Sequence, residues 1–210
     1  MLNILKKFIQ KVFSDIFSRR GELKLGFYGP PNAGKTTLAN KICMDWVGEE
    51  IGKVSEIAHE TRKVSVKGEV EVEHDGKKIT FAITDTPGIA TKIDYEDFIK
   101  SGINRTKAKQ RAKEATRGVI EAIKWIDNMD VVVVVLDATK DPYSQVNITI
   151  IGNLAARNIP VLIVANKTDL KKASIKKVQA AFPQYDVIGM SAKKGKGMDE
   201  FYEALFTLVG

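Results

Sequence analysis

Short apolar runs alternate with stretches of helical periodicity along most of the chain. The apolar runs predict strands near 23–28, 63–73, 77–84, 130–136, 160–165 and 185–189. The periodic stretches predict helices near 35–46, 106–127, 143–157, 174–181 and 197–208. The Asp75-Gly76 pair between the second and third strands predicts a hairpin, which makes one edge strand antiparallel. The later strands each precede a helix, so the pattern predicts an α/β fold with parallel pairing in the rest of the sheet.

The first residues of the chain have a different pattern. Apolar side chains recur at helical spacing over residues 2–17, with Lys6, Lys7 and Lys11 between them. We therefore predict an N-terminal amphipathic helix over 1–20, joined by "SRRGE" to a second unit over 21–210. Such a helix can dock on its own domain or on a second copy, lie on an anionic membrane surface, or bind another protein or RNA. The pattern alone leaves these three alternatives open.

The composition is that of an ordinary globular domain with a short appendage. Of 210 residues, 44% are hydrophobic and 28% charged, and the net charge is +7. The charge fits a nucleotide, RNA or an acidic membrane as partner, and equally a basic cytosolic protein without such a partner. Cys43 is the one cysteine, which excludes an intrachain disulfide and fits a reducing compartment. We expect a cytoplasmic location, with a peripheral place at the membrane as the alternative.

A glycine-rich segment after the first strand has the composition of a phosphate-binding loop. It matches the pattern G-x-x-x-x-G-K-T, precedes a predicted helix, and gives the candidate residues Gly29, Pro30, Pro31, Asn32, Ala33, Gly34, Lys35, Thr36 and Thr37. Glycines let the backbone N–H groups face an anion at a helix N-terminus. We expect Lys35 to reach the β- and γ-phosphates and the Thr36 hydroxyl to ligate Mg²⁺.

The third strand ends in the segment Asp85-Thr86-Pro87-Gly88. A carboxylate at the end of a strand beside a phosphate loop is suited to hold Mg²⁺, and the Gly88 N–H can donate to a γ-phosphate. The same four residues are also a good turn sequence. The position beside the phosphate loop favours the metal role for Asp85.

Two further segments follow the last strands. The first ends a hydrophobic run with Asn166, Lys167 and Asp169, where the carboxylate can accept the ring N–H and the exocyclic amine of guanine. The second contains Ser191, Ala192 and Lys193, where a backbone N–H near Ala192 can donate to the guanine carbonyl oxygen. Their order, each after a strand, indicates a base-reading site for guanine and disfavours an ATP-using P-loop kinase.

The segments "GPPNAGKT", "DTPG", "NKTD" and "SAK" resemble the ordered motifs of the TRAFAC-class small GTPases, and within that class the Era-type branch. The resemblance covers about 22–210. It implies a P-loop NTPase G domain: a six-stranded mixed sheet with helices on both faces, GTP and GDP binding, Mg²⁺-dependent hydrolysis and two nucleotide-sensitive switch segments. Era-type relatives that bind RNA often carry a further C-terminal RNA-binding domain, which we do not expect within these 210 residues.

Three further positions can be compared with the family pattern. Thr61, before Arg62, resembles the first-switch threonine that ligates Mg²⁺ and senses the γ-phosphate. Ile89 stands where Ras-like members carry a water-orienting glutamine, so we expect a low intrinsic hydrolysis rate. A subset of Era-type enzymes use an asparagine at the place of Asn32 to help bind K⁺. Asn32 therefore has two interpretations, a K⁺ ligand near the phosphates or a turn residue.

The resemblance also implies that the second switch segment, over 89–117, is enlarged relative to that of minimal family members. It leads into a basic segment with six cationic side chains: Arg105, Lys107, Lys109, Arg111, Lys113 and Arg117. We predict that this region presents the surface for an effector or RNA, with a solvated helix face as the alternative. Two hypotheses follow: a GTPase switch with Lys35, Thr61 and Gly88 as catalytic residues, or a binding module for RNA or a membrane with incidental hydrolysis.

Overall fold

The computed structural model of the protein describes residues 22–30, 32–47, 69–74, 77–85, 126 and 128–209. Some predictions lie outside these residues: the N-terminal helix over 1–20, the start of the strand over 63–73, the turn at Asp75-Gly76, the helix over 106–127 except Ile126, the region 89–117, and the site residues Pro31, Thr61 and Gly88. They remain predictions.

The described strands form one sheet. Its members are β1 (Glu22–Gly29), β2 (Glu69–His74), β3 (Lys77–Asp85), β4 (Val131–Asp137), β5 (Val161–Asn166) and β6 (Val187–Gly189). Their order is β2-β3-β1-β4-β5-β6. The edge strand β2 pairs antiparallel with β3, and the other neighbours pair parallel. The parallel strands therefore bring their carboxyl ends to one edge of the sheet.

Helices cover both faces of the sheet. They are α1 (Lys35–Val47), α2 (Gln145–Ala155), α3 (Ile175–Ala181) and α4 (Met198–Val209). Strand residues alternate between two apolar clusters: Val133 and Val135 join α1 and α4 on one face, and Val132 and Val134 join α2 and α3 on the other. Every residue of β4 and β5 is buried, as expected for central parallel strands with both faces covered.

The predicted elements within the described residues occur in the structure, with small shifts at their ends. β6 begins at Val187 rather than 185, because the Tyr185 N–H closes a turn on the Phe182 carbonyl at 3.2 Å. α2 begins at Gln145 rather than 143, because the Ser144 hydroxyl accepts the Asn147 N–H and caps the helix. It ends before Asn158, whose φ of 54° is left-handed. No helix among the described residues is long and apolar enough to cross a membrane.

Candidate nucleotide-binding site

A cleft of about 490 Å³ opens at the carboxyl edge of the sheet. It collects residues from three loops that are far apart in sequence, those after β1, β5 and β6. Its lining consists of Asn32, Gly34, Lys35, Thr36, Thr37, Asn166, Lys167, Asp169, Leu170, Ser191 and Lys193. The fold therefore brings together most of the described residues that the sequence predicts for phosphate binding and base reading.

Two glycines shape the phosphate loop. Gly29 has φ +146°, and a Cβ there would collide with the backbone oxygen of Val135 on the neighbouring strand. Gly34 has φ +103°, and a Cβ there would collide with the Asn166 side chain. Both positions require glycine, because the strained φ and the lack of space act together. The loop can thus pack directly against the centre of the sheet.

Lys35 begins α1 and is 3% exposed. Its Nζ donates to the carbonyl oxygens of Gly29 and Pro30, each at 2.9 Å. These bonds fold the lysine back across the loop and hold its ammonium group inside the loop's curve. The loop residue Ala33 is fully buried, and its N–H donates to the Pro30 carbonyl at 3.3 Å. A cation is therefore fixed in a cleft whose rim is formed by a helix N-terminus, a setting that favours phosphate oxygens.

The hydroxyls of Thr36 and Thr37 lie in the first turn of α1, on exposed side chains that line the cleft. Asn32 also lines it and is exposed, with a left-handed φ of 60°. Asparagine tolerates this conformation better than most residues. The backbone of Asn32 thus agrees with a turn role, while its exposed side chain on the cleft agrees with a ligand role.

Asp85 is the last residue of β3, and its Cα is paired with that of Gly29 at the end of β1. The register places the Asp85 backbone beside the start of the phosphate loop, as the sequence predicts. The Asp85 side chain lies outside the described atoms. Among the described residues there is no cluster of three or more His, Cys, Asp or Glu side chains that could hold a metal.

Asn166 ties the phosphate loop to the base-reading loops. It is 3% exposed, and its Nδ2 donates to the Ala33 carbonyl at 2.8 Å. Its Oδ1 accepts the N–H groups of Lys167 at 2.8 Å and Ala192 at 3.0 Å. One buried amide therefore fixes three loops relative to one another. The Asn166–Ala33 hydrogen bond joins residues that lie 133 positions apart in the sequence.

The Ala192 N–H has an acceptor within the protein. In this structure it donates to Asn166, a protein acceptor, rather than pointing an unused donor into the cleft. Ala192 thus contributes by joining its loop to Asn166. Lys193, one residue further in the same loop, lines the cleft.

Asp169 is exposed in the part of the cleft formed by the loops after β5 and β6, which we call the base end. The Ser191 hydroxyl, which hydrogen-bonds to it, holds the pKa of the Asp169 carboxyl below its usual value, and the nearby Lys194 and Lys193 act in the same direction. Ser191 itself is 1% exposed and accepts the Lys194 N–H at 3.2 Å. The carboxylate is therefore ionised at neutral pH, a form in which both oxygens are hydrogen-bond acceptors.

Two residues at the site were missed from the sequence. Leu170 places a 48% exposed apolar side chain beside Asp169 in the cleft. Asp137 ends β4, and its Oδ2 lies 2.7 Å from Lys167 Nζ. The signal for Asp137 was present in "VVVVVLD", an apolar strand that ends in a carboxylate, just as β3 ends in Asp85.

Comparison with known proteins places this site in a family. The family model described as "50S ribosome-binding GTPase" matches residues 24–167. The tRNA modification GTPase MnmE of Bordetella petrii is 33% identical over 183 residues, which cover 87% of this chain and 32% of that protein. GTPase Der of Sulfurihydrogenibium sp. is 31% identical over 198 residues, covering 89% of this chain and 38% of its own length.

Solved structures share the fold. Era of Aquifex aeolicus, bound to GDP and AlF4⁻, has a TM-score of 0.55 at 21% identity, covering 90% of this chain and 57% of that one. Era in complex with MgGDPNP and a fragment of 16S ribosomal RNA has a TM-score of 0.56 at 21% identity, with 89% and 56% covered. The chain spans about a third of the length of the curated relatives it matches (32% and 38%).

Proposed function

Because this chain belongs to the 50S ribosome-binding GTPase family, we propose that its cleft binds GTP, hydrolyses it to GDP and phosphate, and thereby acts as a nucleotide-dependent switch. The related proteins Der and MnmE are GTPases. The family model that matches residues 24–167 is itself that of a GTPase, which supports the activity for the domain that this chain shares with them. The process in which the switch acts, and its partners, are further proposals.

The buried Asn166 is the observation that carries this function. Its three hydrogen bonds hold the phosphate loop at a fixed position relative to the loops of Asp169 and Ala192. A nucleotide has phosphates at one end and a base at the other. The cleft matches both ends, because it contains the buried Lys35 in the phosphate loop and the ionised Asp169 carboxylate in the loop after β5. The buried Asn166 side chain fixes the spacing between these two loops.

Asp169 selects the base in this proposal. Its two oxygens accept the ring N–H and the exocyclic amine of guanine, whereas adenine offers no such pair of adjacent donors. A site built around a substrate hydrogen bond rejects an analogue that lacks it by a large factor, about 10⁴ or more, because the polar group is left unpaired. The Leu170 side chain and the Lys167 stem supply apolar walls for a planar base.

The residues present fit a magnesium ion. The exposed Thr36 hydroxyl stands at the phosphate end of the cleft, and β3 delivers the Asp85 backbone to the same place. Hydroxyl and carboxylate oxygens are the hard ligands that Mg²⁺ takes beside phosphate oxygens. We assign Thr36, Asp85 and Thr61 to this ion, which when bound neutralises negative charge on the β- and γ-phosphates.

The chain's own groups provide the rest of the catalytic setting. Lys35 binds the β- and γ-phosphate oxygens and stabilises the charge that grows on them as the terminal bond breaks. The Gly88 N–H donates to the γ-phosphate and senses its loss. Ile89 offers no polar atom to orient a water molecule, so we expect slow hydrolysis by the isolated chain.

Nucleotide competition tests the binding part of the proposal. A fluorescent GDP analogue is bound to the chain and displaced with GTP, GDP or ATP at equal concentrations. We expect GTP and GDP to displace it at concentrations at least about 100-fold lower than ATP, because of the Asp169 contacts. Equal displacement by ATP would contradict the proposal and favour an adenine-nucleotide enzyme.

Potassium dependence tests the ligand role of Asn32. If the Asn32 amide oxygen holds K⁺ beside the phosphates, GTP hydrolysis is about 10-fold faster in KCl than in NaCl of equal ionic strength, since the added cation stabilises the transition-state charge. Asn32→Gly keeps the left-handed turn but removes the amide, so the KCl advantage disappears. Asn158→Gly is the matched control, because Asn158 is also exposed with a left-handed φ of 54° but lies in the turn after α2.

Equal wild-type rates in the two salts would remove the potassium role. In that case Asn32 is a turn residue, as its φ of 60° also allows. Loss of the KCl advantage in Asn158→Gly as well would assign the effect to the fold rather than to a ligand.

A second proposal concerns the partner. The matched family is described as ribosome-binding, and one structure with this fold contains Era together with ribosomal RNA. We propose that the basic region at 89–117 binds ribosomal RNA in a nucleotide-dependent way. The N-terminal segment 2–17 is proposed as a contact to a second copy or to an anionic membrane from a cytoplasmic location.

Co-sedimentation with ribosomal subunits checks the RNA proposal. The full chain is loaded with a non-hydrolysable GTP analogue or with GDP and spun with purified subunits at two salt concentrations. We expect several-fold more bound chain with the GTP analogue, and weaker binding at the higher salt because phosphate contacts release counterions. Binding that ignores both the nucleotide and a prior nuclease treatment would contradict it.

A further inference from the structure

Asp137 forms an ion pair with Lys167, a residue that lines the cleft. Asp137 ends β4 opposite Asn166, the end of β5, in the parallel register. The Asp137 side chain is 6% exposed and that of Lys167 30%, and Lys167 Nζ lies 2.7 Å from Asp137 Oδ2. The pair therefore connects the sheet to Lys167, the first residue of the loop after β5 (167–174), which carries Asp169.

The other carboxylate oxygen of Asp137 is also occupied. Oδ1 accepts the Thr139 N–H at 3.0 Å and the Thr139 hydroxyl at 2.6 Å. Burial works to raise the pKa of this carboxyl, but the hydrogen bonds from Lys167 and Thr139 outweigh it and hold the pKa below its usual value. Asp137 is thus an ionised group locked in one rotamer, with a single oxygen directed at Lys167.

Lys167 needs such a partner, because its backbone is left-handed with φ 68°. A residue with a long side chain rarely adopts this conformation unless surrounding contacts impose it. Here the Lys167 N–H donates to Asn166 and its Nζ to Asp137, so the residue is held at both ends. The side-chain stem is stretched between these two contacts and lines the cleft.

The turn after Asp137 clamps the same loop on both sides. The Ala138 N–H donates to the Asn166 carbonyl, where the loop begins, and the Ala138 carbonyl accepts the Ser174 N–H, where it ends, each at 2.9 Å. Asp169, which contacts the base in the proposed function, lies between these two clamps. Displacing Asp137 would therefore shift the segment that carries the base-reading carboxylate.

We propose that Asp137 is a positioning residue for guanine recognition, which acts through Lys167 to fix the wall of the base pocket and the place of Asp169. It also holds the Lys167 ammonium group at the end of β4, while the Lys35 ammonium group stays within the phosphate loop. This role rests on the proposed function and assigns to β4 a part in base selection that the motif residues alone do not contain.

Asp137→Asn tests the role with little change of volume. The amide still accepts from Thr139, but its NH2 group faces another donor, Lys167 Nζ, so the ion pair is lost. We expect GDP affinity to fall about 10-fold. We also expect the preference for GTP over ITP, which lacks the exocyclic amine, to shrink by a similar factor. Most of the loss in turnover should fall on KM rather than kcat, because Lys35 is untouched.

Two further variants separate positioning from general stability. Asp141→Asn removes an exposed carboxylate from the loop after β4, four residues beyond Asp137. In the described structure this carboxylate accepts only the Tyr143 N–H, so the variant should keep wild-type affinity and base preference. In the double variant, adding Asp137→Asn to Lys167→Met should lower GDP affinity little further than Lys167→Met does alone, because Asp137 acts through that lysine.

Unchanged GDP affinity and GTP-to-ITP preference in Asp137→Asn would overturn the inference. So would full additivity with Lys167→Met, or an equal loss in Asp141→Asn. Guanine-nucleotide binding by the wild-type chain is measured alongside. If the wild-type chain binds guanine nucleotides and Asp137→Asn does so equally well, only this inference is wrong. If the wild-type chain does not bind them, the proposed function is wrong as well.

Discussion

Asp169→Asn should exchange the base preference of the protein from guanine to xanthine. The Asn amide keeps one acceptor for the ring N–H but replaces the other with a donor. Xanthine carries a carbonyl oxygen where guanine has its exocyclic amine, so the new donor finds an acceptor only in xanthosine nucleotides. We expect GTP affinity to fall at least about 100-fold and XTP to become the tighter ligand. Displacement of fluorescent GDP and XDP by both triphosphates measures the exchange.

The matched control for this variant is Asp186→Asn. Asp186 is also exposed but lies in the loop before β6, away from the residues that line the nucleotide cleft. It should bind GTP as the wild type does. If Asp169→Asn loses GTP without gaining XTP, while its thermal unfolding is unchanged, the assignment of Asp169 as the base reader is wrong.

Lys35→Met should remove most of the catalytic activity. The methionine keeps much of the buried volume, but the positive charge at the phosphate end is lost. The loss of one preorganised donor to transition-state charge costs a factor of about 10² to 10³ in rate. We expect kcat/KM for GTP to fall by at least that much, as measured by phosphate release under steady-state conditions.

The same change affects the fold, and this effect must be measured separately. The carbonyls of Gly29 and Pro30 each lose the donor at 2.9 Å that Lys35 supplies. The loss of hydrogen bonds from a charged donor lowers the unfolding free energy by about 1.5–3 kcal/mol. Lys171→Met, at an exposed lysine in the loop after β5, should change neither quantity. Retained hydrolysis in a folded Lys35→Met variant would contradict the phosphate role.

Much of the fold was predictable because the strands differ sharply from their surroundings. A run such as 131–136 contains only β-branched and aliphatic residues, which fits a strand buried on both faces, and β4 is such a strand. The Gly29-to-Thr36 segment was predictable for a related reason: its spacing has few uses besides wrapping an anion. The element ends were less accurate, because they depend on single hydrogen bonds such as the cap at Ser144.

The parts of the site that were missed depend on register rather than on local sequence. The pairing of Asp137 with Lys167 follows from the parallel alignment of β4 with β5, which places their last residues side by side. The use of the Ala192 N–H depends on the rotamer of Asn166, which no local pattern contains. Contacts of this kind arise between segments distant in sequence, so a linear pattern indicates the participants without their partners.

The GTPase function is checked by measuring phosphate release from GTP and from ATP side by side, on the full wild-type chain with Mg²⁺ in KCl. We expect slow but repeated turnover of GTP, with ATP turned over at least about 100-fold more slowly at the same concentration. Turnover of ATP at an equal or higher rate would contradict it, and so would tight GTP binding without any release of phosphate.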